Sequence, residues 1–344
     1  MRSSLFRASF LFLLAFPAAA DDGRSDPLFR SHDTLEVTIS APLTTMVRER
    51  PTEEYVQGSL GYTGDDGETS TLDLKLRARG HSRHEICDIP PLWLNFKKSQ
   101  VKDTLFHKQD KLKLTVHCQD SERYEQTLLR EYIAYRILNL ATPKSFRVRL
   151  LRVTWVDTEG QREQQVRYAF LLEHKNRVAR RLDRKDLKIE ETSVAALDPK
   201  HLNLTSVFQF MIGNLDFSPI AGSEHNECCH NYVLFSNDRD LLLALPYDFD
   251  RSGLVSAPYA LPGEQFNIRS VRHRIYRGRC QNNDYVDGSI DRLRTIRNNV
   301  FALIETQDGL TRKVRDLVAD YVQQFYDIAD DPRRVKRLMI KKCI

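Results

Sequence analysis

Beyond its first twenty residues the chain has no run approaching the ~18 consecutive apolar residues that a membrane-spanning helix needs. It also lacks internal repeats, heptad runs and low-complexity segments, which argues against solenoids, coiled coils and disordered tails. Neither sign of charge dominates: 52 Lys and Arg stand against 47 Asp and Glu, interspersed, a balance that does not point to nucleic acid as a partner. What is present begins with a secretory pattern. Arg2 and Arg7 precede an apolar run from Phe10 to Phe16, and Ala18-Ala19-Ala20 stand before Asp21-Asp22, which reads as a signal peptide over residues 1–20. Its cleavage would leave 324 residues, enough for one large domain or two intimate lobes, and would lower the formal charge from +5 to +3. The expectation is an exported protein, periplasmic or secreted, with no transmembrane anchor after cleavage.

Six cysteines in an exported chain favour disulfides. Cys87 is expected to pair with Cys118, because the two flank adjacent predicted strands, and Cys280 with Cys228 or Cys229. The cluster His225, Cys228, Cys229 and His230 raises zinc as the competing reading, although adjacent cysteines suit a tetrahedral site poorly.

Periodicity divides the chain. Residues 21–32 read as a loose linker. Thr34–Ser40 and Thr71–Arg77 alternate apolar and polar residues, as half-buried strands do; Leu92–Phe96, Lys111–Val116, Phe146–Val156 and Val166–Glu173 extend the pattern. Between them, Ser121–Leu140 changes to helical spacing, with Leu128, Tyr132, Tyr135 and Leu138 near one face. Residues 33–174 therefore read as a sheet-rich lobe with one embedded helix. Residues 175–344 read as a mostly helical lobe, closing with helices near Ser289–Glu305 and Leu310–Ile328. The fold class expected is α+β. The densest basic run, Lys175 to Lys188, reads as a solvated helix face, with an anionic-substrate or membrane-surface patch as the alternative. Asn203-Leu204-Thr205 matches a glycosylation sequon, but Asn203 reads as a helix cap.

The chemistry concentrates in the middle, where Gly213-Asn214-Leu215-Asp216 is followed by His230-Asn231 and by Pro246-Tyr247-Asp248-Phe249-Asp250. The first and last of these groups follow apolar runs, Val207–Ile212 and Leu241–Leu245. Phosphoryl transfer needs a carboxylate to orient the attacking hydroxyl, and an Asn and an Asp to hold metal ions bridging the phosphates. Asp216, Asn231 and Asp248 fit those roles in that order. An ordinary protein kinase is excluded, because Asp250 replaces the glycine of an Asp-Phe-Gly turn and a loop from Phe217 to Cys229 is inserted.

The pattern resembles the spore-coat CotH kinase-like family. That family carries a Gly-Asn-x-Asp segment, a His/Asn-Asn segment on a strand, and an Asp-x-Asp after an apolar strand. Upstream, Arg77-Ala78-Arg79-Gly80-His81-Ser82 looks like its Arg-Gly-x-Ser turn, and Leu128-Leu129-Arg130-Glu131-Tyr132-Ile133-Ala134-Tyr135 like its Leu-Arg-x-x-Leu-Ala helix. The likeness covers about Leu72 to Gly253. One departure is Pro90-Pro91-Leu92-Trp93, where the family has a lysine-rich strand entry, so a phosphate-binding lysine is not placed by the resemblance.

The resemblance implies a two-lobed atypical kinase-like fold whose residues 33–174 bind the nucleotide, with Mg or Mn and ATP or a related nucleotide as cofactors. In this reading Asp216 is the catalytic carboxylate. Asn231, Asp248 and Asp250 hold metal, with Asp250 binding a second ion or positioning the first. Lys113 contacts phosphates with Glu131 as its ion-pair partner, Arg79 sits in the turn at the ligand, and Glu173 lines the nucleotide base where the lobes join. Lys75 and Arg77 compete with Lys113. Each assignment has a plainer alternative: Asp216 and Asp248 in turns, His230 and His225 as packing residues, the cations on a solvated strand face. The acceptor would be a protein or small-molecule hydroxyl. Two other readings stay open, a catalytically silent envelope scaffold and a metal-dependent phosphoester hydrolase built on Asp216, Asp248, Asp250 and His230.

Overall fold

The computed structural model describes residues 25–344, apart from 65–66, 81 and 223–226. The leader and His225 lie outside the described residues. Strands β1 (Leu35–Ala41), β2 (Val56–Thr63), β3 (Thr69–Ala78), β4 (Leu92–Phe96), β5 (Lys111–Val116), β6 (Val148–Asp157) and β7 (Gln165–Leu172) close into a barrel in the order β1-β2-β3-β4-β5-β7-β6. The closing pair, β1 with β6, is parallel, with Leu35 opposite Leu151 and Ala41 opposite Asp157. The sequence pattern implied a kinase-like sheet lobe; the closed barrel corrects that. Alternation explains the closure: one face of every strand is apolar, and curling the sheet on itself buries that face and removes both edges. Ile39, Leu60, Leu76, Leu94, Leu112 and Leu114 fill the interior, so any ligand must sit on the barrel's outer face. The described part of the expected linker is also packed, since Leu28 and Phe29 are buried in the barrel core and Asp26 pairs with Arg177.

Helices α1 (Leu43–Glu49) and α2 (Ser82–Ile86) are short inserts between strands. Helix α3 (Glu122–Ala141) lies outside the barrel, and almost all of its faces are buried, not only the Leu128–Tyr135 side. It is sandwiched between β5–β7 and the C-terminal helices, and its apolar residues join their core.

The rest of the chain holds α4 (Lys175–Arg181), β8 (Lys185–Leu187), α5 (Pro199–Ile212), β9 (Tyr232–Ser236), β10 (Leu243–Pro246), α6 (Val286–Thr295), α7 (Arg297–Thr306), α8 (Arg312–Ala329) and α9 (Pro332–Leu338). Strands β10, β9 and β8 form a small antiparallel sheet. The architecture is α+β, a barrel followed by helices. Ser289–Glu305 is two helices rather than one, broken at Ile296. Asn203 is not a cap: Asp198 accepts from the His201 amide to start α5, while Asn203 is buried and bonded to Tyr276, Asn282 and Ser289, which leaves no room for a glycan.

Cys87 pairs with Cys118 as expected. Cys280 pairs with Cys343, and Cys228 with Cys229 across a cis peptide, which corrects the other pairing and leaves no thiolate for zinc. Three disulfides fit an oxidising compartment. Among the described residues no helix is long and apolar enough to cross a membrane. The basic run is only in part a solvated face: Lys175, Arg177, Arg181 and Arg184 pair with Asp186, Asp26, Glu173 and Asp240, while Arg180, Lys185 and Lys188 are solvent-exposed.

Candidate functional site

Helix α5 ends at Gly213, whose φ of 66° is the left-handed cap conformation. No side chain fits there, because a Cβ would fall 2.1 Å from the Tyr321 hydroxyl. Gly253 meets the same hydroxyl at 2.3 Å, and its amide donates to the Gly213 carbonyl at 3.0 Å. The two glycines thus let the segment after β10 lie against the helix exit. The chain then turns, with the Asp216 amide donating to Asn214 Oδ1, while Arg277 donates to the Leu215 and Phe217 carbonyls at 2.7 and 2.8 Å. Asp216 is thereby presented on a stem whose backbone groups are satisfied.

His230 Nε2 lies 2.7 Å from Asp216 Oδ1. Asn231 Nδ2 donates to the Asp216 carbonyl at 2.7 Å and to Oδ2 at 3.3 Å, and Arg251 approaches to 3.7 Å. Burial works against the Asp216 charge, but the His230 hydrogen bond, the His230 and Arg251 charges and the Asn231 amide together hold its carboxyl below the usual range. The same hydrogen bond raises His230 above its ordinary value, against its own burial. Beside Asp216 is a cavity of about 220 Å³ whose walls include Arg251, Leu261, Phe266 and Ile268.

Asn231 and Asp248, just before β9 and just after β10, both have left-handed backbone, with φ of 56° and 63°. Such conformations in non-glycine residues persist where surrounding contacts enforce them. Here the Tyr247 amide donates to the Asn231 carbonyl at 3.0 Å, and the Asp248 amide to the Tyr135 hydroxyl of α3 at 2.8 Å. Phe249 anchors the turn, fully buried against Tyr135 and Phe208 with ring centroids 4.6 and 5.4 Å away.

Two sequence-derived assignments change, those of Glu131 and Glu173. Glu131 does not pair with Lys113; it binds Arg83 Nη2 at 2.6 Å, and Arg83 Nε binds Asp250 at 2.8 Å. Asp250 Oδ2 also accepts from the Tyr259 hydroxyl at 3.1 Å, so this oxygen is engaged in the protein's own bonds, while Oδ1 has no hydrogen bond among the described residues. Glu173 is buried and held by both Arg181 Nε and Nη2, at 3.0 and 2.7 Å, so its carboxylate braces the lobe junction instead of facing a ligand. Arg83 itself escaped the sequence reading, although it directly follows the Arg79-Gly80-His81-Ser82 turn. A cation one residue past a glycine turn was the available signal.

The other candidates do converge. Lys113 projects from the outer face of β5, with Nζ 4.8 Å from the Tyr247 ring centroid and 5.7 Å from that of Trp93, and it has no carboxylate partner among the described residues. Burial, then the Arg79 charge, pushes it down to about 8. Arg79 donates to Thr115 Oγ1 and the Leu92 carbonyl. Its competitors lie elsewhere: Arg77 packs on Tyr55 and donates to the Thr52 carbonyl, and Lys75 is solvent-exposed. Asp248 faces these cations with no hydrogen bond to its carboxylate among the described residues. Burial and the Asp250 charge push it up, while Arg83, Arg79 and Lys113 oppose them. Asn231 Oδ1 is likewise without a partner among the described residues. No three His, Cys, Asp or Glu side chains among the described residues are grouped to hold a metal. The donors left are the Asp248 carboxylate, Asp250 Oδ1 and the Asn231 amide oxygen, a set that suits Mg²⁺, which keeps waters and takes phosphate oxygens for the rest.

No protein-family model and no curated protein matches the chain.

Proposed function

We propose that this cleft transfers a phosphoryl group from a Mg- or Mn-bound nucleotide, ATP or a relative, to a hydroxyl acceptor, in the manner that the CotH-like resemblance implies. The observation that carries the reading is the convergence of Arg79 and of Lys113, which has no ion pair among the described residues, on the unbonded carboxylate of Asp248, with Asn231 held beside it by the Tyr247 amide. A nucleotide with its divalent ion supplies the phosphoryl group and screening of its charge. Lys113 and Arg79 would meet phosphate oxygens; Asp248 and Asn231 would hold the ion. Asp216, kept ionised by His230, would orient the acceptor hydroxyl at the edge of the 220 Å³ cavity, which admits a protein side chain or a small molecule. Arg83, Glu131 and Asp250 position the turn that carries Asp248. An exported setting, periplasmic or secreted, agrees with the three disulfides.

A silent scaffold is the second reading, favoured by one observation: Glu131 is bound to Arg83 and does not steady Lys113. A hydrolase that activates water on a metal pair has less support, since Arg83 and Tyr259 already engage Asp250 Oδ2 and no three His, Cys, Asp or Glu side chains among the described residues are grouped to hold metal. The deciding experiment is the melting temperature of the disulfide-intact protein with and without Mg-ATP or Mn-ATP, beside Asp248→Ala. A ligand that binds only the folded state raises it, by about 2.7 kcal/mol of stability at a hundred times Kd. A metal-dependent rise that disappears in the variant is expected; no rise with any nucleotide would leave the scaffold reading.

A further inference from the structure

The loop between β4 and β5 and the start of α4 enclose a second cavity, of about 410 Å³, lined by Lys98, Lys102, Lys108, Lys111, Arg177 and Arg180. Asp110 is the acidic residue in that wall. Arg177 is neutralised by Asp26 and Lys98 by Asp110. That leaves Lys102, Lys108, Lys111 and Arg180, all solvent-exposed, with no ion pair among the described residues. Like charges brought together around one hollow repel each other, and no ion pair among the described residues offsets this for these four.

The hollow is also built rigidly. Asp26 clamps both walls, accepting from Gln109 Nε2 at 2.8 Å on the loop side and from Arg177 Nε at 2.6 Å on the helix side. Val101, Phe106 and Gln109 are buried beneath the loop, so the lysines stand on a fixed rim. The helical basic run contributes only Arg180 as an unpaired cation, and the sequence-distant loop supplies the others.

We infer that this cavity binds a polymer of closely spaced phosphates, independently of any phosphotransfer at Asp216. Phosphate is the group that fits: each unit of a phosphate chain carries two non-bridging acceptor oxygens that share a full negative charge, and an ammonium with three rotatable donors meets it as a point charge. Several cations around about 410 Å³ need many anionic oxygens in a small volume, which a phosphate chain supplies and a string of single carboxylates supplies less densely.

The test is titration of the disulfide-intact protein with long-chain inorganic polyphosphate at about 150 mM salt, where exposed charges are screened beyond ~8 Å. Binding is followed by calorimetry, and polyglutamate of matched charge serves as comparison. Lys102→Glu/Lys108→Glu/Arg180→Glu should weaken polyphosphate binding at least tenfold. Lys313→Glu/Lys336→Glu/Lys341→Glu, an equal charge change on the distant C-terminal segment, should alter it less than twofold. The neutral set Lys102→Gln/Lys108→Gln/Arg180→Gln should fall between, which guards against loss of folding in the first. Asp216→Ala should bind as the parent does, so that failure of the kinase reading leaves this result intact. Absence of binding by the parent, an equal loss in the distant set, or polyglutamate binding as tightly as polyphosphate would each overturn the proposal.

Discussion

On one side of the site, Glu131 and Asp250 are 4% and 7% exposed and share Arg83, itself 11% exposed. On the other side, Asp216 and His230 form their pair with about a third of each side chain in solvent, 33% and 34%. The buried side sets two carboxylates against one guanidinium, with burial and then the neighbouring Asp250 and Asp248 charges pushing Glu131 up against the pull of Arg83, and its role is to hold the turn that carries Asp248. The open side keeps a charged carboxylate within reach of an incoming group. Acidic residues a few positions apart in sequence can thus belong to different devices, and burial with partners separates them where residue type does not.

The largest expected effect comes from breaking the buried side. Arg83→Ala leaves two carboxylates in low dielectric without a counter-ion, which costs about 3–5 kcal/mol and lowers the melting temperature on the order of 10 °C. A shift under about 2 °C in thermal unfolding would mean that the cluster is not what holds the turn. His117 sets the next scale: buried, with neither ring nitrogen partnered, it is pushed down to about 4 by burial and then by the Arg167 charge. Its stabilisation is complete above pH 6.5 and is lost as pH falls from there toward 4, worth about 3 kcal/mol over the window. His117→Leu should flatten that acid limb in pH-dependent melts; an unchanged limb assigns it to other groups.

A sharper test separates the two aspartates of one motif. Asp250→Asn removes a charge that Arg83 and Tyr259 use, and should destabilise by about 2 kcal/mol. Asp248→Asn removes a charge that burial and Asp250 already disfavour, and should leave stability within about 0.5 kcal/mol while abolishing any nucleotide-dependent rise. Equal destabilisation by both, measured by denaturant unfolding, would erase the distinction between a positioning and an available carboxylate.

Much of the local structure was legible in the sequence. Leu92–Phe96 and Lys111–Val116 are strands with the expected bounds, and the helix read at Ser121–Leu140 is α3 within one residue at each end, because side-chain period reports which face is buried. Closure was not legible, since pairing β1 with β6 joins residues more than a hundred positions apart and leaves no local trace. Strand β2 was missed because Gly58 and Gly61 break its alternation. At the site, the residues singled out by motif spacing lie together, Asn231 bonded to Asp216 and to the Tyr247 amide beside Asp248, but which cation answers Glu131 depends on the fold of the Gly80 turn, and there Arg83 takes the place expected of Lys113.

The smallest expected effect lies on the open side, and it has the opposite sign in pH to that of His117. The hydrogen bond to Asp216 raises His230, so, wherever Asp216 is ionised, the pair's contribution is complete below pH 6.5 and is lost as pH rises through the elevated folded value of His230. With a third of each side chain in water, screening reduces it to about 0.5 kcal/mol. His230→Gln should therefore barely move the melting temperature at neutral pH. In phosphotransfer, if the cleft performs it, the same variant should raise the pH at which Asp216 becomes ionised, because the carboxylate loses the charge and hydrogen bond that depress it. A His230→Gln variant that loses several kcal/mol of stability would place the open pair among the structural clusters, and the contrast between the two sides of the cleft would fail.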